Sequence, residues 1–193
     1  RARRQEQLQI AFKRLQEDFD GRIKPRLDSF TDFVSSANEP ASLRSDYIAQ
    51  CMQQRVRPNS GIVEYLTKIL SDGDVETLDL SGNYIGDAGV VPLISVVNRL
   101  YRLRVLRLAD NGVKNNGVKA LCSGLRNHAL LTELDLSKNH LTRSAGKDLL
   151  ALIASTPKLA KIILEGTHLD AGMIDKIEKR LRVNVEGGSQ PLP

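Results

Sequence analysis

Leucines and other apolar residues return along this chain at a fixed step. The triplets Leu78-Asp79-Leu80, Leu106-Arg107-Leu108, Leu134-Asp135-Leu136 and Ile162-Ile163-Leu164 follow one another at intervals of 28 residues. Val75, Leu103, Leu131 and Leu159 keep the same step before the triplets, and Ile85, Val113, Leu141 and Leu169 keep it after them. Farther along each unit, Leu93, Leu121, Leu149 and Ile177 align, as do Val97, Leu125, Ile153 and Leu181. Self-similarity held in several columns is the signature of a repeat architecture.

The chemistry inside one unit predicts its elements. Leu78 and Leu80 alternate with Asp79, so a short strand buries the leucines and exposes the residues between them. Asn83, Asn111 and Asn139 form a further column where the chain turns off the strand. A side-chain amide there can satisfy backbone groups that leave the ladder. After a turn bearing Gly86 and Gly89, or Gly112 and Gly117, the apolar spacing becomes three and four, as in Val90, Leu93, Ile94 and Val97. That is an amphipathic helix. Neither element buries its apolar side alone, so the units are expected to stack, strand beside strand and helix beside helix.

The pattern L-x-x-L-x-L-x-x-N, carried by Leu103 to Asn111 and by Leu131 to Asn139, resembles the leucine-rich repeat family. The 28-residue period with a full helix is similar to its ribonuclease-inhibitor-like branch. The resemblance covers residues 47–182 and implies an α/β fold: a short right-handed solenoid with a concave parallel sheet and convex helices. The fourth unit departs from the pattern, with Ile162 for Leu and Thr167 for Asn. A hydroxyl does only part of what an amide does, so a looser terminal turn is expected there.

Four segments follow along the chain. Residues 1–40 read as an N-terminal helical extension, with Leu8, Phe12, Leu15 and Phe19 as an apolar stripe and Pro25 as its break. The extension either caps the first repeat or belongs to a coiled coil that supports self-association. Residues 41–74 read as capping helices and a leading half-repeat. Leu43, Tyr47, Ile48, Cys51 and Met52 keep helical spacing behind Ser42 as N-cap, and Ile62–Leu70 is expected to be the half-repeat's helix. Tyr47-x-x-x-Cys51 followed by Pro58 is similar to the lead-in of axonemal and ciliary leucine-rich repeat proteins. Residues 75–182 are the repeats, closed by Ile174, Ile177 and Leu181 facing inward under a charged outer face of Asp175, Lys176, Glu178, Lys179 and Arg180. Residues 183–193 read as a disordered tail, linker-like from Gly187 onward.

Composition narrows the picture. With Gly counted in place of Tyr, apolar residues make up about 46% of the 193 residues, which is globular rather than disordered. No run approaches the ~18 apolar residues of a membrane helix. The first residue is Arg1, and the sequence reads as a piece of a longer protein. Cys51 and Cys122 are too few for a disulfide framework and fit a reducing, cytoplasmic setting. The net charge of +5 is spread thinly, and the N-terminal Arg1, Arg3, Arg4, Lys13 and Arg14 are interrupted by Glu6, Glu17 and Asp18 with no aromatic interleaving. This argues against nucleic acid.

Catalytic signatures are missing from the sequence: no nucleophile, base and acid stand at a working spacing, and no phosphate-binding glycine pattern occurs. Cys122 falls in the apolar column of Ile94 and Leu150 and is expected to be an inert buried thiol. His140 and His168 lie one repeat apart and are expected to be neighbours on adjacent loops, without the further ligands of a zinc site. No cofactor and no metal are expected.

The remaining candidates are the outward strand residues. Asp79, Arg107, Asp135 and Ile163 share one exposed column, so Arg107 is expected between Asp79 and Asp135 as a cross-strand charge ladder. With Thr77, Arg104, Val105, Glu133 and Lys161 they make a mixed-charge floor for a protein partner. Tyr84 is the large aromatic of the loop column that also holds Gly112, His140 and His168. The expected function is a non-catalytic protein-interaction module, a scaffold or adaptor within a larger protein. The resemblance implies cytoskeletal or ciliary settings, with tropomodulin among the relatives. The alternative is a regulator of a small GTPase or another enzyme.

Overall fold

The computed structural model describes residues 42–69, 75–126 and 128–187. Two helices, α1 (Leu43–Gln53) and α2 (Ser60–Lys68), precede four strand–helix units. These are β1 (Thr77–Asp79) with α3 (Gly86–Arg99), β2 (Val105–Arg107) with α4 (Asn115–Gly124), β3 (Glu133–Asp135) with α5 (Arg143–Ser155), and β4 (Lys161–Ile163) with α6 (Ala171–Gly187).

The strands form one parallel sheet in chain order, with Leu78, Leu106, Leu134 and Ile162 in register. Beyond each strand the ladder continues one step: Leu80 N donates to Arg107 O at 2.9 Å, Leu108 N to Asp135 O at 2.8 Å, and Leu136 N to Ile163 O at 3.0 Å. Neighbouring helices α3, α4, α5 and α6 pack side by side in a second layer. Leucines from the strands and helices fill the space between the layers, and Leu78, Leu93, Leu106, Leu121, Leu134 and Leu149 are all fully buried. The alternation predicted for the strands holds in β1, β2 and β3, each with its central leucine buried between two more exposed residues, whereas in β4 Ile162 and Ile163 are both half-buried.

Asparagine binds the turns together. Asn111 Oδ1 accepts from Asn83 N at 2.9 Å, and Asn139 Oδ1 accepts from Asn111 N at 3.1 Å, so each amide serves the unit before it. Each Nδ2 also donates backwards, from Asn111 to Leu80 O at 2.9 Å and from Asn139 to Leu108 O at 2.8 Å. Asn111 and Asn139 are completely buried. Thr167, in the fourth unit, bonds to the carbonyl of Leu164 in its own turn at 2.7 Å.

The ends depart from expectation in two places. The leading member of the helix layer is α1, which packs on α3 and is tied to it by the Asp46–Arg99 ion pair. The helix expected at Ile62–Leu70 is α2, which starts at Ser60, ends at Lys68 with Ile69 as a non-helical C-cap, and packs on α1. Tyr65 Oη reaches Thr77 O on the terminal strand β1 at 3.4 Å, and Asn59 Nδ2 donates to Asn83 O. An uncovered strand edge is a liability, and these two side-chain bonds reach backbone carbonyls of the first unit. At the far end α6 runs to Gly187, so residues 183–187 are helical rather than tail. Asn184 Nδ2 donates to Ile153 O, Thr156 O and Leu159 O at 3.0–3.2 Å, satisfying carbonyls around the end of α5. Of the remaining expectations, the Ser42 cap is present as a capping box with Ser45, while the stripe from Leu8 to Phe19 lies outside the described residues.

Candidate functional site

Parallel register brings the outward residues of four strands onto one surface. Thr77, Val105, Glu133 and Lys161 form one row across the sheet, and Asp79, Arg107, Asp135 and Ile163 form the next. All eight are exposed or half-buried.

The ion pairs follow side-chain length rather than the row. Arg107 Nη1 lies 3.8 Å from Asp79 Oδ2, as expected. Its other partner is Glu133, with Nη2 3.9 Å from Oε1, and not Asp135. Asp135 Oδ1 accepts from Ser137 N at 2.9 Å and so holds the turn that leaves its own strand. Asp79 does the same with Ser81 N at 3.1 Å and Ser81 Oγ at 2.8 Å. Glu133, one methylene longer and free of any such turn, reaches Arg107 on one side and Lys161 Nζ at 3.2 Å on the other. The resulting line, Asp79–Arg107–Glu133–Lys161, crosses every strand. Glu133 is its most buried member, with a side chain 20% exposed.

A second cluster escaped the sequence reading. Glu76 lies 3.7 Å from Arg104 Nε and 3.8 Å from Arg102 Nη2. Glu76 occupies the column of Arg104, Thr132 and Ala160, so applying the 28-residue step to Arg104 would have found it. Tyr84 stands apart on the loops. It is 88% exposed and has a left-handed backbone, φ 53°, at the position where the next unit has Gly112, φ 65°. A bulky residue there carries a strain of roughly 1–2 kcal/mol.

The groups that could do covalent chemistry are withdrawn from it. Burial, with Asp148 nearby, pushes the Cys122 thiol up to about 12, and burial also raises that of Cys51. A thiolate is the reactive form. His140 and His168 are neighbours, as expected, with ring centroids 5.6 Å apart. Among the described residues no three His, Cys, Asp or Glu gather into a metal-binding group, and no helix is long and apolar enough to cross a membrane. Open clefts lie between β4 and α6, lined by Ile162, Leu164, Ile174, Leu181 and Glu178.

Comparison with known proteins finds repeats of the same kind by sequence. A family profile described as Leucine Rich repeat matches residues 74–93, 103–122 and 127–150. Human NACHT, LRR and PYD domains-containing protein 13 is 30% identical over 122 residues, covering 62% of this chain and 12% of that protein. Photoactivated adenylate cyclase subunit alpha of Euglena gracilis is 28% identical over 159 residues, covering 82% of this chain and 15% of that protein. Tonsoku-like protein of Bos taurus is 31% identical over 98 residues, covering 49% of this chain and 7% of that protein. The chain thus spans 15% or less of each of these relatives. A solved structure of the leiomodin-1 actin-binding site 2 aligns at TM-score 0.45 and 14% identity, over 77% of this chain and 93% of that one.

Proposed function

We propose, from the premise that this chain is a leucine-rich repeat protein, that it works as a protein-interaction module whose partner docks on the sheet face. The observation that carries this reading is the line Asp79–Arg107–Glu133–Lys161, a set of exposed charges spread over four strands. Exposed ion pairs are worth only ~0–1 kcal/mol each. A partner with the complementary pattern exchanges them for its own contacts at little cost. Electrostatic complementarity of this kind sets partner choice and association rate more than raw affinity. The floor beneath is already ordered by buried leucines, so binding has little backbone to fix. Tyr84 offers an aromatic anchor at one margin.

Exchanging one pair tests the reading. Arg107→Glu with Glu133→Lys keeps the net charge and an internal pair while inverting what a partner meets. Lys119→Glu with Lys147→Glu alters only exposed positions of α4 and α5. Quantitative affinity capture with the full chain is expected to lose its specific partners with the first variant and keep them with the second. Identical partner sets from both, with unchanged circular dichroism, would overturn the proposal.

The finer reading is a scaffold or adaptor in a cytoskeletal or ciliary assembly. It rests on the likeness of the Tyr47 to Pro58 region to axonemal leucine-rich repeat proteins. Cosedimentation with filamentous actin addresses the actin branch of that reading, and a chain that stays in the supernatant removes it.

A further inference from the structure

The chain has three histidines, His128, His140 and His168, and two of them stand together. His140 and His168 hold the same position in the third and fourth units. Their loops run in step: His140 N donates to Val113 O at 2.9 Å, and His168 N donates to Leu141 O at 2.9 Å. The rings face one another with centroids 5.6 Å apart and planes within 18°. Both side chains are exposed, and neither imidazole has a protein hydrogen-bond partner among the described residues.

We infer that His140 and His168 form a two-imidazole site for a divalent late transition metal, Zn²⁺ or Ni²⁺, with water completing the coordination. Imidazole nitrogen suits these ions. Zinc–nitrogen distances of about 2.0–2.1 Å place two ligand nitrogens within about 4.2 Å of each other. The torsion that turns an imidazole about its Cβ–Cγ bond is broad, so each ring can turn a nitrogen toward a shared ion. No third His, Cys, Asp or Glu completes a cluster among the described residues. The site is therefore open and exchangeable, unlike a four-ligand structural zinc.

The location gives the ion something to do. Asn111 and Asn139 each tie their turn to the preceding one through a side-chain amide. At the next junction Thr167 bonds only within its own turn. An ion held by His140 and His168 bridges that same junction, since His168 directly follows Thr167. It links the third and fourth units where the asparagine link is missing, and so stabilises the end of the stack against fraying.

Titrating ZnCl₂ and NiCl₂ into the full chain, by calorimetry and by NMR of the three imidazoles, tests this inference. One ion per chain is expected, with the His140 and His168 signals moving, that of His128 unmoved, and a higher melting temperature with metal. His140→Gln and His168→Gln each should abolish uptake and the rise in melting temperature. Because both side chains are exposed, neither change should alter the melting of the metal-free chain. A wild-type chain without saturable uptake overturns the inference. So does uptake that survives either substitution, or that shifts His128 instead.

Discussion

At the residue scale, one buried amide does more for this fold than any single surface charge. Asn139 accepts from Asn111 N and Val113 N and donates to Leu108 O and Leu136 O, all within 2.8–3.1 Å and without exposure. Asn139→Ala leaves several buried backbone groups unpaired, at roughly 1–3 kcal/mol each. Urea denaturation is expected to show a loss of about 3 kcal/mol or more. A loss near that of Asp79→Ala, under ~1 kcal/mol, would contradict the assigned bonds. His128 makes a second prediction. Burial lowers its pKa, with the backbone of Leu100 and Val97 opposing. The unfolded chain takes up that proton near the ordinary value of 6.5, so its stability contribution is complete above that pH and falls as pH drops toward the folded value. Melting temperatures measured from pH 8 down to pH 5 should fall less steeply for His128→Gln than for the wild-type chain. The asparagine column was legible in the sequence because residue type and spacing both mark it. The left-handed column of Gly82, Asp110, Lys138 and Gly166 was only half legible, since Asp and Lys do not announce a positive φ.

Elements follow from periodicity, and their closeness follows from small residues. A Cβ on Gly124 would fall on the Ile94 side chain, and one on Gly146 would fall on Met173, so these glycines let neighbouring helices approach. Core leucines fill what remains. Leu108→Ala and Leu136→Ala are each expected to cost about 2–5 kcal/mol by leaving a cavity in the stack. Thermal or chemical unfolding checks this. Costs equal to that of Asp79→Ala would mean that inner and outer faces had been exchanged. Strand and helix identities were readable because a period of two and a period near 3.6 are distinct. The role of α2 was not. The 28-residue step placed a helix near Gly61, but only tertiary contact shows it packed on α1, with Tyr65 Oη at Thr77 O, while α1 packs on α3.

At the scale of the whole molecule, the described residues from Ser42 onward form a compact unit with its own core. A chain beginning at Ser42 is expected to unfold in one cooperative transition, since α1, α2 and four units supply a continuous interior. Circular dichroism on heating checks this, and a broad, probe-dependent transition would contradict it. Sedimentation of the two chains side by side then assigns the extension. Self-association lost with residues 1–41 makes it a dimerising helix, and unchanged mass with lower melting makes it a cap.

The sequence by itself determined the repeat, the parallel stacking and the sorting of inner from outer strand residues. Each of these is local information copied several times over, and a pattern of apolar positions is enough to express it. Which charges meet was decided only by the tertiary structure. Arg107 pairs with Glu133 rather than with Asp135, its partner in register, and Glu133, one methylene longer, reaches both Arg107 and Lys161. That outcome depends on side-chain length and on where each chain reaches in three dimensions, and a column of letters records neither.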